Sequence, residues 1–97
     1  MEVAMRLRDA EIYGEVQLSV QASNTHYCSP RKDGLDLDRY KTVEIAILSG
    51  GKMVKPSAVG VDGFDQHFED GDSPVAGYVP QDVVERIRVA LKEKAQS

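Results

Sequence analysis

The sequence predicts an α+β domain, in which a small, mostly antiparallel sheet of about four to five strands packs against one C-terminal helix. Two observations carry this prediction. Apolar and polar residues alternate over residues 15–23 and 41–48, which is the period of a half-buried strand. From Pro80 onward, apolar residues recur at helical spacing. The chain has 97 residues, the length of one domain, so we expect residues 1–97 to form a single domain.

The N-terminal region carries the clearest strand and the least defined element. Residues 15–23 alternate without interruption, as expected for a strand with one buried face and one wet face. Residues 2–8 also alternate and predict a first strand, although residues 1–11 fit a short helix as well. Between these strands, residues 9–14 predict a turn, with Gly14 as its natural breaker.

The second half of the sheet is predicted from a hairpin and a short apolar run. The Gly50-Gly51 pair stands between two apolar segments, which is typical of a hairpin turn. Pro56 cannot donate a hydrogen bond to a neighbouring strand, so the strand returning from this turn is short or lies at an edge. A final strand is expected over residues 75–79.

The C-terminal helix is predicted to begin at Pro80, because proline suits the first helical position. Acidic residues lie near the predicted start and lysines near the end, which complements the helix dipole. The apolar side chains fall on one face: Val83, Val84, Ile87, Ala90 and Leu91.

Composition and charge exclude several functions. One cysteine and the absence of a basic-then-apolar leader at the N-terminus favour a reducing compartment, so we expect a cytoplasmic location. No apolar run approaches the roughly 20 residues that span a bilayer, so no membrane partner is expected. The net charge is −4, and no large basic surface exists for nucleic acid.

Two long connections, residues 24–40 and 60–74, are the places where function is expected. The first follows a polar stripe on strand 15–23 and combines hydrogen-bonding groups with positive charge suited to phosphate. It predicts a small-molecule or nucleotide site formed by His26, Tyr27, Ser29 and Arg31.

The second long connection is acidic. Residues 60–82 hold six acidic residues and no lysine or arginine; this pattern indicates either a solvated surface or a contact surface for a basic partner. The spacing does not match a calcium-binding EF-hand loop. Phe64 and Phe68 are expected to pin the connection to the core. The predicted partner-binding residues are Asp62, Asp65, Glu69, Asp70 and Asp72.

A metal site is a weaker hypothesis. His26 and Cys28 point the same way in an extended chain, and His67, with Asp65 or Asp70, would complete a ligand set. The competing interpretation is a small buried thiol beside a hydrogen-bonded histidine. No local signature supports Cys28 as a nucleophile, and no cofactor is predicted.

Three stretches resemble small uncharacterised proteins of bacteriophages and prophages. They are Ser19-Val20-Gln21-Ala22-Ser23, continuing through residues 26–31, and the later Val43-Glu44-Ile45 and Gly77-Tyr78-Val79-Pro80. The resemblance covers roughly residues 16–91 and implies an accessory phage protein, which would act in the host cytoplasm. It implies no catalytic residue.

Three functions follow in order of preference. The first is a non-enzymatic interaction protein that self-associates or binds a protein partner, because the chain is short, segregates its charge and contains no catalytic set. The second is a small-molecule or nucleotide-binding protein that uses the His26–Arg31 loop. The third is a metal-dependent enzyme that uses His26, Cys28 and His67.

Overall fold

The computed structural model describes residues 8–23, 26–72 and 74–96. It confirms the α+β class, with an antiparallel sheet and one C-terminal helix. The strands and the helix are β1 (Glu11–Tyr13), β2 (Val16–Gln21), β3 (Thr42–Ser49), β4 (Lys52–Val54), β5 (Ala76–Pro80) and α1 (Gln81–Gln96). Short 3₁₀ turns lie at Leu37–Arg39, Pro56–Val59 and Asp65–His67.

Strand β3 is the centre of the sheet. On one side it pairs along its length with β2, and β2 pairs with β1. On its other side, β5 pairs with the first half of β3 and β4 with the second half. All four pairings are antiparallel. The β3–β5 pairing shifts register between Val43 and Ile45, and this irregularity sets the position of Tyr78 described below.

The β3–β4 hairpin forms as predicted. Ser49 pairs with Lys52 across a two-residue turn, and Gly50 and Gly51 have φ values of 60° and 80°. Both central residues of a type I′ turn require positive φ, which glycine adopts without steric cost. The returning strand is short, as Pro56 predicts, because it ends at Val54 and Pro56 begins a 3₁₀ turn.

The core lies between one face of the sheet and α1. The alternating residues of β2 and β3 place Leu18, Val43 and Ile47 on that face. The helix contributes Val84, Ile87 and Leu91, all buried. Phe68 is also buried in this cluster and Phe64 packs against it, so the aromatic residues do pin the second long connection to the core.

The N-terminal prediction needs two corrections. Residues 9–14 are not all turn, because Glu11–Tyr13 forms β1, and the turn itself is limited to Gly14 and Glu15. Contacts with the rest of the protein hold β1 in place. Tyr13 packs against the core, and Arg88 on α1 donates a hydrogen bond to the Glu11 carboxylate. The strand predicted over residues 2–8 lies outside the described residues, apart from Arg8.

Two further details differ from prediction. Pro80 ends β5, opposite Thr42, and α1 begins at Gln81. Gln21, predicted on a wet face, is only 7% exposed. Its amide exchanges two hydrogen bonds with the backbone of Arg8, at 2.8 and 2.9 Å, so the chain entering β1 covers it. Among the described residues, no helix combines the length and apolar character that crossing a bilayer requires.

Candidate functional site

Two tyrosines from distant parts of the chain meet at the β3–β5 irregularity. Tyr27 comes from the first long connection and Tyr78 from β5, and their ring centroids are 5.9 Å apart with the planes tilted by 34°. The backbone N–H of Tyr78 donates to the Tyr27 carbonyl at 2.8 Å. Both residues remain about half exposed, at 51% and 50%, although large aromatic side chains gain most when buried.

Arg31 and Glu44 complete this group. The guanidinium carbon of Arg31 lies 5.8 Å from the centre of the Tyr27 ring, within the range of a cation–π contact. Glu44 on β3 accepts a hydrogen bond from the Tyr27 backbone N–H at 3.3 Å. We refer to Tyr27, Arg31, Glu44 and Tyr78 as the tyrosine cluster.

The backbone at residues 77 and 78 is shaped around the two rings. Tyr78 has a φ of 53°, in the left-handed region that residues other than glycine, asparagine and aspartate rarely occupy. Gly77 lies against Tyr27 so closely that a Cβ there would be 2.8 Å from the Tyr27 Cβ. The close approach and the unusual conformation together hold Tyr78 beside Tyr27.

The loop that carries Tyr27 and Arg31 is tied to the sheet between them. Ser29 forms an isolated antiparallel bridge with Thr42, and its carbonyl accepts the Lys41 N–H at 2.7 Å. At the far end of the loop, Gln81 donates to the Leu37 and Tyr40 carbonyls, both at 2.8 Å. The loop is therefore attached to β3 at Ser29 and to α1 at Leu37 and Tyr40.

Of the four residues predicted for the ligand site, Tyr27 and Arg31 come together and the other two take other positions. His26 Nδ1 lies 2.7 Å from the Ser23 hydroxyl, and Ser29 contributes backbone pairing to β3. Cys28 is 1% exposed, and its thiol donates to the Ser23 carbonyl at 3.2 Å. The thiol thus has the environment of a buried structural cysteine.

The predicted metal ligands do not assemble. Within residues 8–23, 26–72 and 74–96, no three His, Cys, Asp or Glu side chains are grouped so that they could hold a metal ion. His26, Cys28 and His67 therefore form no ligand set, with or without Asp65 or Asp70.

The acidic connection divides into two groups. Asp65 accepts hydrogen bonds from the hydroxyl and backbone N–H of Ser57, which lower the pKa of Asp65. Asp70 pairs with Lys55, and this hydrogen bond lowers the pKa of Asp70. These two carboxylates are therefore engaged by neighbouring residues of the same chain. The other predicted partner-binding residues are exposed: Asp62, Glu69 and Asp72.

Hydrogen bonds between titratable side chains also join β1 to α1. Arg88 donates to both Glu11 carboxylate oxygens, at 2.9–3.1 Å, and the Tyr13 hydroxyl donates to Glu11 at 2.6 Å. Burial by itself raises the pKa of Glu11, but the bonds from Arg88 and Tyr13 outweigh it and lower the pKa. Burial, followed by the bond to Glu11, raises the pKa of Tyr13 to about 12. We refer to Glu11, Tyr13 and Arg88 as the clamp, because they join β1 to α1.

Sequence reasoning missed Tyr78 and Glu44 as site residues. One signal was available for Tyr78: a glycine inside a strand pattern marks a bulge or a close backbone approach, and Gly77 has that position. The proximity of Glu44 to Tyr27 had no sequence signal, because it depends on how the loop folds back on β3. The chain matches no protein family, no curated protein sequence and no solved structure.

Proposed function

We propose that this chain is a small, non-enzymatic accessory protein of the phage type, which acts through protein–protein contacts centred on the tyrosine cluster. The observation that carries the proposal is the φ of 53° at Tyr78. A left-handed conformation costs a residue of this kind about 1–2 kcal/mol. Strained residues persist where the surrounding structure over-determines them, and they gather at functional sites.

The composition of the cluster fits a protein partner. Tyrosine and arginine are enriched among the residues that dominate binding energy at protein interfaces. Tyrosine offers a large contact area, and only two side-chain torsions need to be fixed on binding. Tyr27 and Tyr78 are already held in contact, which lowers that entropic cost further. The sequence resemblance described above supports the phage assignment.

Replacing Tyr78 with glycine separates function from folding. Glycine adopts the positive φ without strain, while the ring and its contact with Tyr27, worth about 0.5–1.5 kcal/mol, are lost. We therefore expect the free energy of unfolding to change by less than about 1 kcal/mol, while partner binding falls sharply. A variant that binds its partner as well as the native chain contradicts the proposal.

The partner itself can be captured by placing a photo-crosslinking phenylalanine derivative at Tyr27, in cells that naturally carry the gene. The matched control carries the same group at exposed Lys52, the first residue of β4. We expect a discrete crosslinked product from position 27 alone, lost on Tyr78→Gly; its mass distinguishes a second copy of this chain from another protein. Equal products from both positions, or none, argue against a contact surface at the cluster.

A second candidate is a small-molecule ligand such as a nucleotide, bound through the His26–Arg31 loop. The position of Arg31 over the Tyr27 ring favours it, because an aromatic ring beside a guanidinium suits a base and a phosphate. Titration of labelled protein with adenosine triphosphate tests this candidate by NMR. Saturable shifts at residues 27, 31 and 78 support it, and unchanged spectra at millimolar nucleotide exclude adenine nucleotides.

A further inference from the structure

A groove runs along α1, the helix that covers the core face of the sheet. Its apolar floor consists of Phe64, from the acidic connection, together with Val89 and Ala90 on the helix; the groove is open to solvent and has a volume of about 490 Å³. Val89 is 49% exposed, whereas Val84, Ile87 and Leu91 on the same helix are buried. The groove shares no residue with the tyrosine cluster.

The rim of the groove is mainly acidic. Asp82, Glu85 and Glu93 line it beside one cation, Arg86, so the lining carries three negative charges and one positive charge, a net of −2. The Arg86 guanidinium carbon lies 5.8 Å from the centre of the Phe64 ring. Glu85 also pairs with Arg88 at 3.3 Å, which leaves Asp82 and Glu93 to define the charge at the two ends.

A second depression borders the groove at Glu93. It is lined by Asp62, Glu93 and Lys94 together with Ala90, so two carboxylates and one lysine lie there and Asp62 of the acidic connection adjoins the rim. The only acidic residues of that connection with an internal role identified above are Asp65 and Asp70. Asp62 adds to the negative field beside the groove, where clustered charge raises the local concentration of an oppositely charged ligand.

We infer that this groove binds a basic, aliphatic peptide segment of a partner protein. An aliphatic side chain of that segment covers Phe64 and Val89, and lysines or arginines on either side reach Asp82 and Glu93. Those two residues are about 16 Å apart along the helix at 1.5 Å per residue, so the cations flank the apolar contact. Lysine and arginine suit this role because their apolar stems pack on the floor while their charges reach the rim. An acidic segment is repelled.

The test uses the full chain and two synthetic amphipathic peptides, one of leucine and lysine and one in which glutamate replaces every lysine. With isotope-labelled protein, we expect saturable NMR shifts at residues 64, 82, 89, 90 and 93 with the lysine peptide and none with the glutamate peptide. Residues 27 and 78 should not shift, so failure here is distinguishable from failure of the tyrosine cluster.

Two charge reversals separate the groove from general attraction to an acidic protein. Glu93→Lys should weaken binding about tenfold, whereas Asp9→Lys, at an exposed position outside the groove with the same change in net charge, should weaken it less than twofold. Val89→Ser should weaken binding severalfold and preserve the native NMR spectrum elsewhere. Equal weakening by both reversals overturns the inference. Shifts at the groove on raising the protein concentration without peptide also overturn it, because a second copy then fills the groove.

Discussion

Replacing Gly77 with alanine probes how tightly the tyrosine cluster is built. A Cβ at this position would lie 2.8 Å from the Tyr27 Cβ and 3.4 Å from two carbons of its ring. Carbon atoms in contact prefer about 3.5–4.0 Å. The Tyr27 Cβ is attached directly to the backbone, so it cannot rotate away as the end of a long side chain would. The loop carrying Tyr27 must therefore move.

The cost can be worked from these contacts. Overpacking of this kind destabilises by about 1–3 kcal/mol. Displacement of the loop also weakens the 2.8 Å hydrogen bond between the Tyr78 N–H and the Tyr27 carbonyl, worth about 1 kcal/mol. Alanine regains about 0.5–1 kcal/mol over glycine in a strand. We expect Gly77→Ala to lower the free energy of unfolding by about 2 kcal/mol, and Tm by roughly 10 °C.

Urea unfolding followed by circular dichroism measures this difference, and a double-mutant cycle assigns it. Tyr27→Gly removes the Cβ that the new methyl group would meet. In that background, Gly77→Ala should be neutral or stabilise by up to about 1 kcal/mol. The reasoning is refuted if Gly77→Ala costs less than about 0.5 kcal/mol in the native background, or costs the same in both backgrounds.

Three further predictions concern the clamp and the buried thiol. Glu11→Gln should lower the free energy of unfolding by about 1 kcal/mol at neutral pH, because the charged hydrogen bonds from Arg88 are weakened. The pKa of Glu11 is lower in the folded state, so its contribution is present above the unfolded-state pKa and is lost as pH falls through the folded pKa; urea unfolding of both proteins should converge in acid. Ultraviolet titration should place the pKa of Tyr13 at about 12, and this pKa should be lower in Glu11→Gln. Because the pKa is raised in the folded state, the stability that Tyr13 contributes is present below about pH 10 and is lost as pH rises toward 12. Cys28 is buried, so a thiol reagent should modify it only as urea unfolds the chain.

Each of these predictions has a contrary result. A stability difference for Glu11→Gln that persists unchanged in acid would remove the carboxylate charge as its cause. Tyr13→Phe is the control for the titration, since it should delete the step near pH 12; a step that persists there in Tyr13→Phe would mean that another tyrosine was observed. Rapid modification of Cys28 in native buffer would contradict its burial.

Much of the fold was predictable because it depends on local patterns. The alternation in residues 15–23 and 41–48 anticipated β2 and β3, which differ from those ranges only at their ends. The glycine pair anticipated a turn whose two residues both need positive φ. Strand β1 was missed because three residues are too few for a periodic signal, and its position depends on Arg88, 77 residues away in the chain.

The candidate site was only half predictable. Tyr27 and Arg31 stood out because they share one loop with other hydrogen-bonding groups. Tyr78 is 51 positions beyond Tyr27, and the two meet where β5 shifts register on β3. The run of acidic residues was evident from the sequence. The apolar floor of the groove on α1 was not, because the helical pattern does not reveal that Phe64 and Val89 line the same groove.

The sequence by itself determined the α+β class, the principal strands, the hairpin and the buried face of the helix. Each of these follows from residues that are neighbours in the chain, so the physical cause is contained in a short window. Only the tertiary structure decided which polar residues are engaged internally and which exposed aromatic residues meet. Those outcomes depend on long-range pairing, as when Arg8 buries Gln21 or Lys55 engages Asp70, and no local pattern encodes such pairing.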